Sequence, residues 1–332
     1  MSDFTIFPDL AVRSMGGSVV AASDESFAER ENLINPWPST YSPETFGAKG
    51  QVYDGWETAR RRHGGHDWAI VRLGLAGVIH GIVIDTAWFK GNYPPHASVE
   101  ACSVAGYPSV AELAEAGWAE IVPRSPLGGD AQHSFDVSLA RRFTHVRLNM
   151  FPDGGIARLR VHGSVVPDPD LLTGLTVDLA ALENGGRVTG CSNLFYSAPD
   201  NILAPGLPRH QAEGWETARR RDDGNDWVVV ALAASGVIRL AEIDTTNLKF
   251  NAPGWVSLSG RSGAGEWVPL LARTRVQPDC RHRFRLAEDG PEVSEVRLDI
   301  YPDGGMGRLR LFGDLTPAAE QTLRTRWSTL LR

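Results

Sequence analysis

Eight consecutive residues occur twice in this chain. Gly55-Trp-Glu-Thr-Ala-Arg-Arg-Arg62 returns 159 positions later as Gly214-Trp-Glu-Thr-Ala-Arg-Arg-Arg221. Each stretch then crosses a short polar loop to an Asp-Trp pair, Asp67-Trp68 and Asp226-Trp227, and enters an apolar run. Identity of that length marks an internal duplication, so whatever one half folds into, the other must fold into as well. The match extends outward. Asp9-Leu10-Ala11, Ser23 and Asn32 correspond to Asp178-Leu179-Ala180, Ser192 and Asn201, at a separation of 169. Pro152-Asp-Gly-Gly155, Arg158 and Arg160 correspond to Pro302-Asp-Gly-Gly305, Arg308 and Arg310, at a separation of 150. The falling separation means that the second repeat lacks about ten residues between Asn32 and Trp56, and about ten more between Ser98 and Trp118. Insertions of that size belong in surface loops, where chain closure costs little.

Within a repeat most segments are short, β-branched and bounded by glycine, as in Trp68–Leu73, Val78–Ile84, Ala97–Cys102, His145–Met150 and Ala157–Val161. Leu159 and Val161 alternate with Arg158 and Arg160, the pattern of a strand with one buried face. Turn signals at Gly74, Gly77, Gly91-Asn92 and Asp153-Gly154-Gly155 recur at short intervals, which predicts an antiparallel β-sandwich. Helices are minor. Ser109 and Glu112 form a capping box, and Thr316 with Pro317 opens a terminal helix whose Leu323, Trp327, Leu330 and Leu331 share one face. Two prolines in Val165-Val-Pro-Asp-Pro-Asp170 act as a stiff spacer, giving expected domains of 1–166 and 167–332.

A net charge of −7 offers no general attraction to nucleic acid or to an anionic membrane. Cys102, Cys191 and Cys280 are odd in number and widely spaced, which fits a reducing, cytoplasmic setting rather than a disulfide framework. No secretion signal opens the chain, and no run is long and apolar enough for a membrane span.

The doubled motif, together with Ile84-Asp-Thr-Ala-Trp-Phe-Lys-Gly-Asn-Tyr-Pro94, Phe151-Pro-Asp-Gly-Gly-Ile-Ala-Arg-Leu-Arg-Val161 and Ala22-Ser-Asp-Glu-Ser-Phe-Ala28, resembles the allantoicase family over about Leu10 to Gly313. The resemblance implies an all-β chain of two tandem galactose-binding-like jelly-roll sandwiches. It also implies a hydrolase in purine breakdown that converts allantoate to (S)-ureidoglycolate and urea, and a self-associating protein. Two other readings stay open at this point: a non-catalytic tandem binding protein, and an enzyme acting on a neighbouring ureide such as ureidoglycolate.

Replacing a C–N bond of allantoate by C–O calls for an acid and a base, a cationic fork for the carboxylate, and acceptors for the ureido N–H groups. Arg60, Arg61, Arg62 and Arg158 are considered for the fork, since arginine matches a carboxylate in two parallel bonds, and Arg60, Arg62 and Arg158 are the candidates taken from them. In extended chain Arg60 and Arg62 face one way and Arg61 the other. Glu57, Asp85 and His66 are the candidate catalytic groups, and Asn92 is a candidate substrate contact. Each also has a structural reading: a carboxylate tying down a turn, an arginine paired with Asp67 or Asp85, a loop histidine. His63, His66, His80 and His96 give way to Asp222, Asn225, Arg239 and Trp255 in the second repeat, which favours the first as the seat of the chemistry. His133 pairs with His282, pointing to a structural role there. His63-x-x-His66-Asp67 is a weak metal pattern without a third positioned ligand, so neither metal nor cofactor is expected.

Overall fold

The apolar run from Asp67 to Asp85 forms one strand of 19 residues, and Asp226–Asp244 does the same in the second repeat. The structure, a computed structural model, describes residues 3–331. Two separate segments with a turn at Gly74 to Gly77 were the expectation, and the strand instead runs through. The glycines serve close approach: a Cβ at Gly77 would lie 2.1 Å from the Ser164 carbonyl oxygen. At this point the strand changes partners. Its first part pairs with Ser18–Ala22 and Arg142–Phe151, and its second with Arg158–Val165 and Gln132–Asp136. Strands His96–Cys102 and Ala119–Pro126 extend the sheet beyond Arg142–Phe151.

Contacts divide the chain into two units, one running to Val166 and taking in Leu330 and Leu331 near the chain end, the other from Pro167 to Thr329. Each is an antiparallel β-sandwich with the same strand order, apart from one strand, Thr176–Asp178, added at the edge of the second. The all-β duplicated fold with a short terminal helix, Pro317–Leu330, is therefore as expected. The capping box of the short helix Val110–Ala114 is present, with Ser109 and Glu112 each bonding the other's backbone.

The repeated residues outside the bright motif hold the frame. Asp9 Oδ1 accepts from the N–H groups of Ala11 and Val161, and Oδ2 lies 3.5 Å from Arg160. Asp178 makes the corresponding bonds to Ala180, Leu311 and Arg310. Trp56 and Trp215 are fully buried, and each indole N–H donates to a backbone carbonyl, of Asp24 and Asn193 respectively. That satisfies the one polar atom of a large core side chain.

Candidate active site

The short strand Trp56–Glu57 pairs with Gly155–Ile156, so Glu57 faces the Pro152-Asp-Gly-Gly155 segment. Gly154 has a φ of +144°, and a Cβ there would meet the Asn92 carbonyl oxygen at 2.7 Å. The segment needs glycine to lie against the Asn92 turn, and the Gly155 N–H donates to that same carbonyl at 2.8 Å. Three loops thus meet around one recess of about 450 Å³, lined by Glu57, Thr58, Arg60, Arg61, Asn92, Tyr93, Asp153 and Phe27 among others. That size suits a small-molecule pocket. Arg60 and Arg61 also line a second recess of about 380 Å³, together with Asp24, Arg62 and His63.

Glu57 is the most informative group. It is 8% exposed. Asn92 Nδ2 donates to its Oε1 at 2.5 Å, whereas its buried Oε2 has no hydrogen-bond partner. Burial pushes the carboxyl above its ordinary range, and the Asn92 bond works against that shift. A buried unsatisfied carboxylate oxygen costs on the order of 1–3 kcal/mol. Asp9, Asp67, Asp226 and Asp244 each leave one oxygen without a hydrogen bond as well, and of these carboxylates Glu57 is the one that lines the 450 Å³ recess.

The arginine triplet divides as alternation requires. Arg61 is structural: its Nη1 pairs with the buried Asp67 at 2.6 Å and its backbone N–H donates to Asp153 Oδ2 at 2.8 Å. Arg220 repeats both contacts with Asp226 and Asp303. Arg60 and Arg62 are exposed, and among the described residues neither has a hydrogen-bond or ion-pair partner. Asp24 lies close by on the second recess. Burial opposes its ionisation, but hydrogen bonds from Ser26 and from the Ala59 N–H outweigh it and hold its carboxyl below the usual range.

Three of the expected site residues lie elsewhere. Arg158 is 1% exposed rather than outward-facing, and its donors are taken by the carbonyls of Trp37, Asp54 and Ala157 and by the Asp54 carboxylate at 2.7 Å. It clamps the first repeat's inserted loop, and Arg308 clamps the matching loop through the carbonyls of Gly206 and Glu213. Asp85 caps a turn, accepting from the Ala87 N–H at 2.8 Å and from Gln132 at 3.0 Å. His66 packs on Phe151 with the rings tilted and their centroids 4.6 Å apart, and lines a different recess with Trp68, Glu100, Glu120, Arg147 and Asn149. Glu57, Asn92 and Arg60 do come together in one pocket, with Arg62 on the adjoining recess.

Other histidines are structural. His133 Nε2 accepts from the Gly128 N–H while Nδ1 faces the Ile84 carbonyl oxygen, and His282 repeats this with Gln277 and Ile243. Asp67 is committed to Arg61 and Ser23, and among the described residues no three His, Cys, Asp or Glu side chains are grouped to hold a metal ion.

Sequence reasoning missed Asp24 and the partner of Glu216. Gln211 Nε2 donates to Glu216 Oε2, and Asn251 Nδ2 donates to Glu216 Oε1. The second repeat therefore satisfies both oxygens of the matching carboxylate. The signal was available: Gln211 stands three residues before the shared motif, where the first repeat has Val52.

Known proteins bear on this geometry. The family model of the allantoicase repeat matches residues 8–166 and again 177–316. A Nocardia farcinica protein named "Probable allantoicase" is 57% identical over 94% of this chain and 95% of its own length. The Dictyostelium discoideum protein named "Allantoicase" is 40% identical over 91% of this chain and 86% of its own. The crystal structure of allantoicase from Saccharomyces cerevisiae superposes with a TM-score of 0.79, at 36% identity and covering 92% of each chain. A doubled frame, both of its motif sets and close likeness along nearly its whole length lead to one conclusion: this chain belongs to the allantoicase family.

Proposed function

We propose that the chain hydrolyses allantoate to ureidoglycolate and urea, and that the reaction takes place at Glu57 in the first repeat. The observation carrying this reading is the buried Oε2 of Glu57, unpartnered among the described residues, in a recess that Arg60 also lines, with Arg62 on the adjoining recess. Arg60 and Arg62 hold the substrate carboxylate by charge-assisted hydrogen bonds. Asn92 fixes the carboxyl by its bond to Oε1, leaving Oε2 to face a ureido N–H.

The chemistry follows from that contact. Glu57 Oε2 takes the proton of the retained ureido group. The freed nitrogen lone pair forms a C=N bond, and the C–N bond to the other ureido group breaks, its electron pair staying on the departing nitrogen. Glu57 passes the proton to that nitrogen, and urea leaves. Water then adds to the C=N carbon, giving its proton to Glu57, which returns it to the ureido nitrogen. Allantoate and water are consumed, urea and ureidoglycolate are formed, and Glu57 ends as it began. A carboxylate made more basic by burial suits this work.

Urea release from allantoate by the purified protein tests the reading. No urea at any pH across the neutral range contradicts it, and a faster reaction on ureidoglycolate than on allantoate reassigns the substrate. We also propose that the protein self-associates and works in the cytoplasm. The exposed Leu331 at the end of the terminal helix supports the first, and three unpaired cysteines support the second. Sedimentation of the purified protein reports the first directly.

A further inference from the structure

We propose that Gln211 is a built-in stand-in for substrate: in the second repeat its amide occupies the place that a ureido N–H takes on Glu57 in the first, so each chain carries one working ureide site. The inference rests on the function proposed above and specifies which repeat performs it and which substrate group meets the carboxylate.

The two positions are equivalent by structure as well as by count. Arg158 Nη1 donates to the Asp54 carbonyl at 3.0 Å, and Arg308 Nη1 donates to the Glu213 carbonyl at 2.6 Å. Two residues before each gripped carbonyl stand Val52 and Gln211. The inner oxygens are treated alike, Oε1 of each glutamate accepting from an asparagine, Asn92 or Asn251. Only Oε2 differs. Gln211 donates to it in the second repeat, and Val52 has no side-chain donor to offer in the first. A carboxamide N–H₂ and a ureido N–H are both planar amide donors, so the group that sits on the second repeat's carboxylate identifies the donor that the first repeat's recess awaits. Gln211 sits on a single helical turn, Gln211–Glu213, whose last carbonyl is gripped by Arg308, so the plug is held in position.

N-carbamoylglycine, which carries a carboxylate and one ureido group, is the probe. Titration calorimetry of the full chain should give one equivalent bound in the wild type, two in Gln211→Ala and none in Val52→Gln, with urea release from allantoate by Gln211→Ala unchanged within about twofold. Two equivalents in the wild type, or one in Gln211→Ala, overturns the inference. Failure here is separable from failure of the proposed function: a wild type that releases urea but binds two equivalents sinks this inference alone, whereas a wild type that releases none sinks the reading beneath it.

Discussion

Glu57 and Glu216 occupy the same place in the same eight-residue motif, yet their surroundings have diverged. Both lie on a two-residue strand against a Gly-Gly segment, and both accept from an asparagine. Glu57 is buried with one oxygen unanswered, while Glu216 is half-exposed with both oxygens bonded. Duplication preserved what holds the sandwich and released what faces the rim. The Asp67–Arg61 and Asp226–Arg220 pairs, the two buried tryptophans and the two clamping arginines, Arg158 and Arg308, are frame in both repeats. An unsatisfied buried carboxylate oxygen is a cost to folding, which both repeats carry at Asp67 and Asp226; at the motif glutamate only the first repeat carries it.

The largest effect should come from Glu57 itself. Glu57→Gln keeps the size and the Asn92 contact but removes the base, and kcat should fall by roughly 10²–10⁴. Next come the guanidiniums. Arg60→Ala or Arg62→Ala should lower kcat/KM by about tenfold or more, the worth of a hydrogen bond to a charged partner, with melting temperature unchanged since neither side chain is paired. Installing the second repeat's plug, Val52→Gln, should lower kcat/KM for allantoate by about tenfold or more through KM, because the intramolecular donor occupies the carboxylate oxygen that the substrate needs. An unaltered KM contradicts the stand-in.

The pH profile sharpens the comparison further. If Glu57 works as its carboxylate, kcat/KM falls as pH drops through its pKa, and burial puts that limb above the ordinary carboxylate range. The Asn92 bond lowers the pKa, so Asn92→Leu should move the limb to higher pH; a shift the other way rules Glu57 out as the titrating group. A smaller difference concerns stability. His145 is 1% exposed and burial, with the Arg72 charge, lowers its pKa to about 4, whereas the second repeat has Glu295 at this position. Below its unfolded value of about 6.5 the unfolded chain binds more protons than the folded one, so stability falls as pH drops from there towards 4. The loss amounts to about 3 kcal/mol at most, and His145→Gln should flatten it in acid-unfolding curves.

Much of the fold was legible because the repeat doubled every signal. The capping box at Ser109, the strand segments and the paired histidines could be read directly. The long strands were misread as two, because Gly74 and Gly77 signal a turn locally and close packing only in three dimensions. Arg158 was misread because alternation predicts a face but not which loop folds over it; the inserted segment buries it. His66 was favoured because it differs between the repeats. The difference that matters at the carboxylate is Val52 against Gln211, three residues before the shared motif, and that Gln211 reaches the glutamate shows only in three dimensions. Replacing His66 by the second repeat's asparagine should therefore change kcat by less than about twofold.

Urea release from allantoate by Glu57→Gln and by Glu216→Gln, under identical conditions, separates the two repeats most directly. Activity should be lost in the first variant and stay within about twofold of wild type in the second. Equal losses in both, or loss only in Glu216→Gln, would contradict a site at Glu57.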